Sequence, residues 1–92
     1  MIVRIMGEGQ LRVADADLGE LNKLDDVLEA AIESGDEASF RTALHLLLDS
    51  VRGVGEVLSE DSLEPSDLIL PPADAEMDEV KAMLGDEGLI PD

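Results

Sequence analysis

The chain has 92 residues, 45% of them apolar, and a formal net charge of −17 from 23 acidic and six basic side chains. This length supports one domain, residues 1–92, with one hydrophobic core. Because binding to phosphates depends on Lys and Arg, the charge disfavours a nucleic-acid partner, and an anionic membrane surface would repel the chain. A partner with a basic surface would be attracted, although a role in solubility alone explains the charge equally well.

The sequence has no cysteine and a single aromatic residue, Phe40. Disulfide and thiolate chemistry are therefore excluded, and the core has to be built from aliphatic side chains. Neither a secretory signal nor a run of about 20 apolar residues is visible. We therefore expect a cytoplasmic protein that does not insert directly into a membrane.

Residues 1–14 predict a β-hairpin, because two apolar-rich segments, residues 2–6 and 10–14, flank a turn centred on Glu8 between two glycines. This centre pairs Val3 with Val13 and Ile5 with Leu11, with all four side chains on one face.

The same register places Arg4 opposite Arg12 on the other face of the hairpin. Like charges that face each other are unfavourable, so a carboxylate of this chain or of a partner is expected there. Arg4 and Arg12 are therefore candidate partner-binding residues. The alternative is that both side chains extend into water, since exposed ion pairs are weak.

Helical spacing of apolar residues predicts an antiparallel helical hairpin over residues 17–52, with helices over 17–34 and 37–52. Gly35 suits a left-handed helix end and Asp36 suits the start of the second helix, which Gly53 ends. The two apolar stripes are Leu18, Leu21, Leu24, Leu28, Ala31 and Ile32, and then Phe40, Ala43, Leu44, Leu47, Leu48 and Val51.

The C-terminal part predicts shorter elements. Residues 53–66 have the composition of a loop, residues 67–70 are a candidate third strand, and residues 75–84 form a short helix. A tail over residues 85–92 follows. The fold class is α+β: a small antiparallel sheet, made of the N-terminal hairpin and the third strand, packs on the helical hairpin. An all-α bundle with an appended hairpin is the alternative.

Large apolar residues in the strand and in the tail either join the core or contact a partner. They are Leu68, Ile69 and Leu70 in the strand, and Leu89 and Ile90 in the tail.

The sequence offers few groups for catalysis or for metal binding. The single histidine, His45, lies among leucines of the second helix, and a surface position is its ordinary interpretation, since a catalytic base needs an orienting partner. Zinc and nucleotide motifs are missing, and the acidic clusters match no calcium loop. We therefore expect a non-enzymatic chain with no catalytic residues, cofactor or metal site.

Four segments together resemble a known family. They are MIVRIMGEGQ at residues 1–10, the helical hairpin with LDD at 24–26 and GDE at 35–37, PSDLILPPAD at 65–74 and LGDEGLIP at 84–91. The sequence resembles the PspA-associated proteins, PspAA, of actinobacteria and some archaea, over essentially the whole chain. This family is encoded beside homologues of phage-shock protein A, which are membrane-associated helical proteins of the ESCRT-III type. The resemblance implies an accessory or regulatory role in the envelope-stress response and carries over no catalytic residue.

The sequence thus predicts an acidic adaptor protein that binds a PspA-like helical protein and lies at the inner face of the membrane only through that partner. The candidate contact residues are Arg4, Arg12, Leu68, Ile69, Leu70, Leu89 and Ile90. One alternative is a mimic of nucleic-acid charge, or an antitoxin-like inhibitor of a basic protein; an enzyme with a carboxylate centre is the least supported. A homodimer through the hairpin edge stays open.

Overall fold

The computed structural model describes residues 1–59 and 65–83. The elements in these residues confirm the α+β class. In chain order they are β1 (Ile2–Ile5), β2 (Gly9–Arg12), a 3-10 turn (Asp15–Asp17), α1 (Leu18–Ser34), α2 (Glu37–Val54), β3 (Glu56–Val57), β4 (Leu68–Leu70) and α3 (Met77–Met83).

The strands of the described residues form one mixed sheet in the order β3-β2-β1-β4. The third strand predicted over residues 67–70 is confirmed as β4 and lies beside β1. It runs parallel to β1, so the sheet is mixed and not purely antiparallel as predicted. β3, which pairs with β2, lies within the segment expected to be a loop.

The hairpin register differs by two residues from the predicted one. Val3 stands opposite Leu11, and Arg4 stands opposite Gln10, so the predicted pairing of Arg4 with Arg12 is wrong. Because strand side chains alternate with a period of two, this even shift leaves every side chain on the predicted face of the sheet.

The turn of the hairpin accounts for the shift. The Glu8 N–H donates to the Ile5 carbonyl at 2.9 Å, and Gly7 has a φ of +86°. A type II turn requires a positive φ at its third position, which glycine adopts without strain. The turn is therefore centred on Gly7 and not on Glu8.

α1 and α2 form the predicted antiparallel hairpin. α1 ends at Gly35, which has a left-handed φ of +73°, and the Asp36 carboxylate caps α2 by accepting the Ser39 N–H at 3.2 Å. The predicted end at Gly53 is wrong, because α2 continues to Val54 and the Gly55 N–H still donates within the helix. One glycine costs a helix only about 1 kcal/mol, which is too little to end it.

The hydrophobic core lies between the sheet and the helical hairpin. α3 begins two residues later than predicted and closes the core with Val80, while Leu84 and the predicted tail lie outside the described residues. The buried apolar side chains are Val3, Ile5, Leu11, Val13, Leu21, Leu28, Ala31, Ile32, Phe40, Ala43, Leu44, Leu47, Leu48, Val51, Leu70, Ala75 and Val80.

Candidate interaction surfaces

The three apolar residues of β4 face different environments. Leu70 is fully buried in the core, Leu68 packs against the core while half-buried, and Ile69 is 49% exposed on the outer side of the sheet. Successive side chains of a strand point to opposite faces of the sheet, and only one face of this sheet packs on the core. Of these three predicted contact residues, Ile69 presents the most surface. The other predicted apolar contacts, Leu89 and Ile90, lie outside the described residues.

Arg4 and Arg12 are both exposed on the outer face of the sheet. The Arg4 Nε donates to the Ser66 hydroxyl at 3.3 Å. Glu56 of β3 stands opposite Arg12 in the β2–β3 register, so a carboxylate-bearing residue of this chain lies beside that arginine. Both cations therefore have polar neighbours within the chain.

An open apolar groove of about 700 Å³ lies between the β1–β2 turn, β4 and α3. Its large apolar side chains are half-exposed: Met6 is 47%, Ile69 49% and Met83 37% accessible. We call it the methionine groove, and its lining residues are Met6, Ile69, Pro72, Ala75, Glu79 and Met83.

Backbone contacts hold the walls of the methionine groove in place. The Met6 N–H donates to the Leu70 carbonyl at 3.1 Å, which fixes the hairpin turn against the end of β4. The Ala75 N–H donates to the Pro72 carbonyl at 3.0 Å and turns the chain toward α3. The fully buried Val80 then fixes α3 on the core. The groove thus lies between elements that backbone hydrogen bonds and core packing hold together.

The segment that carries β4 and α3 is strongly acidic. Between residues 65 and 83, Lys81 is the only basic residue, against five acidic ones. One of the five, Glu79, lines the methionine groove. The five are Asp67, Asp74, Glu76, Asp78 and Glu79.

A second apolar groove, of about 350 Å³, lies between α1 and α2. Val27 is 53% and Leu46 is 49% exposed there, and the rest of the lining is small or hydroxylated. Its lining contains no charged residue. We call it the hairpin groove, and its lining residues are Val27, Ala38, Ser39, Thr42, Ala43 and Leu46.

Arg52 joins the β1–β2 turn to the end of α2. Its Nε donates to Glu8 Oε1 at 2.8 Å, and its Nη1 donates to Asp49 Oδ1 at 2.7 Å. The hydrogen bond from Arg52 lowers the pKa of Glu8 below its ordinary value of 4.5. The positive charge of this arginine is therefore already neutralised within the chain.

The reactive groups of the described residues are scattered. His45 is exposed on α2, with its Nε2 3.3 Å from the Ala73 carbonyl oxygen. Within residues 1–59 and 65–83, no three His, Cys, Asp or Glu side chains come together in a way that could hold a metal ion. None of the helices in this part of the chain is long and apolar enough to span a bilayer.

Sequence reasoning missed Met6 and Met83 as surface residues. Met6 has the same strand parity as Arg4, so a large apolar side chain on the outer face of the sheet was visible in the pattern. The helix predicted over residues 75–84 contains Met83, and only the position of α3 against β4 shows that this side chain is partly exposed.

The fold and its surfaces define a small acidic α+β protein with open apolar grooves in its described part. The family model of the PspA-Associated proteins, PspAA, matches residues 1–92, and the chain belongs to this family. The family predicted from the sequence is thus confirmed, and membership links the chain to PspA in an accessory role. No curated protein and no solved structure matches the chain.

Proposed function

We propose that this chain is a non-catalytic adaptor that binds a PspA-like helical protein and regulates it. The observation that carries the proposal is the methionine groove, in which three large apolar side chains are partly exposed together and Glu79 of α3 joins the lining. Exposed apolar side chains that lie together are candidates for contact with other macromolecules. Family membership supplies the kind of partner.

The charge of the chain supports binding to a basic surface. A net charge of −17 on 92 residues creates a field that attracts cationic partners and speeds their encounter. Apolar contacts then keep the complex together, since surface ion pairs contribute little on their own. The charge thus supports the first encounter with the partner, and the apolar groove supports the stability of the complex that follows.

The non-catalytic part of the proposal rests on the chemistry of the side chains. A nucleophile needs an adjacent base, and a base needs an orienting partner within hydrogen-bond reach. The one histidine, His45, is exposed and lies near a backbone carbonyl oxygen, and the chain has no cysteine. Family membership adds no assigned catalytic residue.

The place of action follows from the partner. An acidic chain is repelled by the anionic cytoplasmic leaflet, so it would reach the membrane only through a protein that binds lipid itself. We therefore propose a cytoplasmic protein that lies at the inner face of the membrane when its PspA-type partner does, and that acts in the response to envelope stress.

A pull-down of purified components tests this function. The full chain is immobilised and offered the PspA-type protein of the same organism at low salt, with an acidic protein of similar size and charge as the matched control. The expected result is retention on this chain and not on the control. No retention, with both proteins folded, would contradict the proposal. Displacement by double-stranded DNA would indicate a mimic of nucleic acid instead.

A further inference from the structure

We propose that the methionine groove is a docking surface and that its occupant is one amphipathic α-helix of a partner, with large apolar residues flanked by Lys and Arg. The inference rests on the proposed function for the identity of the partner. The chemistry of the occupant follows from the groove alone.

The floor of the groove suits large apolar side chains. Met6, Ile69 and Met83 are its large, partly exposed apolar side chains, and Pro72 and Ala75 complete the lining. Methionine side chains are flexible and polarisable, and they adapt to differently shaped apolar partners. A volume of about 700 Å³ leaves room for more than one apolar side chain of an occupant.

The charge around the groove selects a cationic occupant. Glu79 lines the groove and Asp78 precedes it in the first turn of α3, whereas Asp67, just before β4, accepts the Ile2 N–H at 2.8 Å. Arg4, which stands opposite Ile69 in the sheet, donates its Nε to Ser66 and is not part of the lining. Lys and Arg beside the apolar stripe of an occupant would therefore meet carboxylates.

The geometry favours a helix over an added strand. β4 offers an edge of only three residues, about 10 Å long, and it is followed by Pro71 and Pro72, which have no N–H to donate. A helix needs no backbone partner and presents apolar side chains at positions i, i+3, i+4 and i+7 on one face. A second copy of this chain is disfavoured, because two chains that each carry a net charge of −17 repel each other.

The hairpin groove provides a matched control. Ile69 in the methionine groove and Leu46 in the hairpin groove are both aliphatic and both 49% exposed, but only the methionine groove has a carboxylate in its lining. Ile69→Glu and Leu46→Glu therefore add the same charge to the chain and remove a similar exposed apolar area from two different surfaces.

The probe is a synthetic Leu/Lys peptide of about 18 residues, designed as an amphipathic helix, with a scrambled peptide of the same composition as its control. Binding to the full chain is measured by calorimetry. We expect the amphipathic peptide to bind more tightly than the scrambled one. We expect Ile69→Glu to weaken it by about tenfold and Leu46→Glu to change it by less than about twofold. A purely electrostatic contact would be strengthened by both substitutions and would overturn the proposal.

Further variants guard against loss of folding and identify other occupants. Met6→Glu, in the turn that lines the same groove, should reproduce the effect of Ile69→Glu in a chain whose circular dichroism is unchanged. An equal loss of peptide affinity with Leu46→Glu, or equal binding of the two peptides, would contradict the proposal.

Tighter peptide binding after Leu89→Glu would show that the chain's own tail occupies the groove, and this result would also overturn the proposal. Peptide binding without retention of the PspA-type protein would leave the groove assigned and reject the adaptor function.

Discussion

Arg52, at the surface, connects the β-hairpin turn to α2 through hydrogen bonds. Its guanidinium donates to Glu8 in the hairpin turn and to Asp49 one turn earlier on α2. Both Glu8 and Arg52 are more than a third exposed, so solvent screens the interaction and its contribution to stability is modest. Its geometric effect is to fix the hairpin turn beside the end of α2.

The first prediction concerns this ion pair and its pH dependence. Arg52→Gln should lower the free energy of unfolding at pH 7 by less than about 1 kcal/mol. Because the pKa of Glu8 is lowered in the folded chain, its stabilisation is present above pH 4.5 and is lost as the pH falls through the folded pKa. The difference between the wild type and the variant should therefore shrink below pH 4.5, as measured by urea denaturation across pH.

Arg41→Gln is the matched control for that measurement. Arg41 lies on the same helix and pairs with Glu37, at 3.7 Å, with both side chains well exposed. Its removal should cost less than the removal of Arg52 at pH 7. A difference for Arg52→Gln that stays constant down to pH 3 would contradict the assigned role of Glu8.

At the scale of elements, Gly55 permits the close approach of α2 to β2. An ideal Cβ at this position would lie 2.7 Å from the Val51 carbonyl oxygen and 3.0 Å from the Leu11 Cβ. Its φ of −84° is accessible to any residue, so the requirement for glycine is steric. Gly53, two residues earlier and inside α2, has open space around its Cβ position.

The second prediction compares these two glycines. Gly55→Ala should lower the free energy of unfolding by about 1–3 kcal/mol, because backbone and a core side chain would have to move. Gly53→Ala should raise it by about 0.5–1 kcal/mol, because alanine is the better helix former. Thermal or chemical denaturation of the two variants measures both effects. Equal effects of the two substitutions would show that the end of α2 is not closely packed on β2.

The helices, and the buried face of the N-terminal hairpin, could be predicted from the sequence. The spacing of apolar residues indicates which side of an element is buried. The hairpin register was wrong because glycines at positions 7 and 9 fit two different turn centres equally well. The two-residue strand β3 is too short to leave a pattern. In the candidate site, three consecutive apolar residues in β4 gave no alternation, so only the structure separates the exposed Ile69 from the buried Leu70.

At the scale of the whole molecule, charge is the dominant feature. Residues 55–92 contain twelve acidic residues and one basic residue, so most of the net charge of −17 lies in the C-terminal part of the chain. Concentrated like charge destabilises a compact state through self-repulsion. The same charge attracts a basic partner, so binding and stability respond to salt in opposite directions.

The third prediction follows from this repulsion. Raising NaCl from about 0.05 M to about 0.5 M should increase the free energy of unfolding by on the order of 1 kcal/mol, because screening weakens the repulsion. Urea denaturation at several salt concentrations measures the effect, and KCl should give the same result as NaCl. A decrease in stability with salt would show that attractive ion pairs outweigh the repulsion.

The most direct test of an adaptor function is a calorimetric titration of the full chain into the purified PspA-type protein of the same organism, at low and at high salt. The account predicts saturable binding with a defined stoichiometry, weakened by at least about tenfold between about 0.05 M and about 0.5 M NaCl. Absence of binding at low salt, with both proteins shown to be folded, would contradict it.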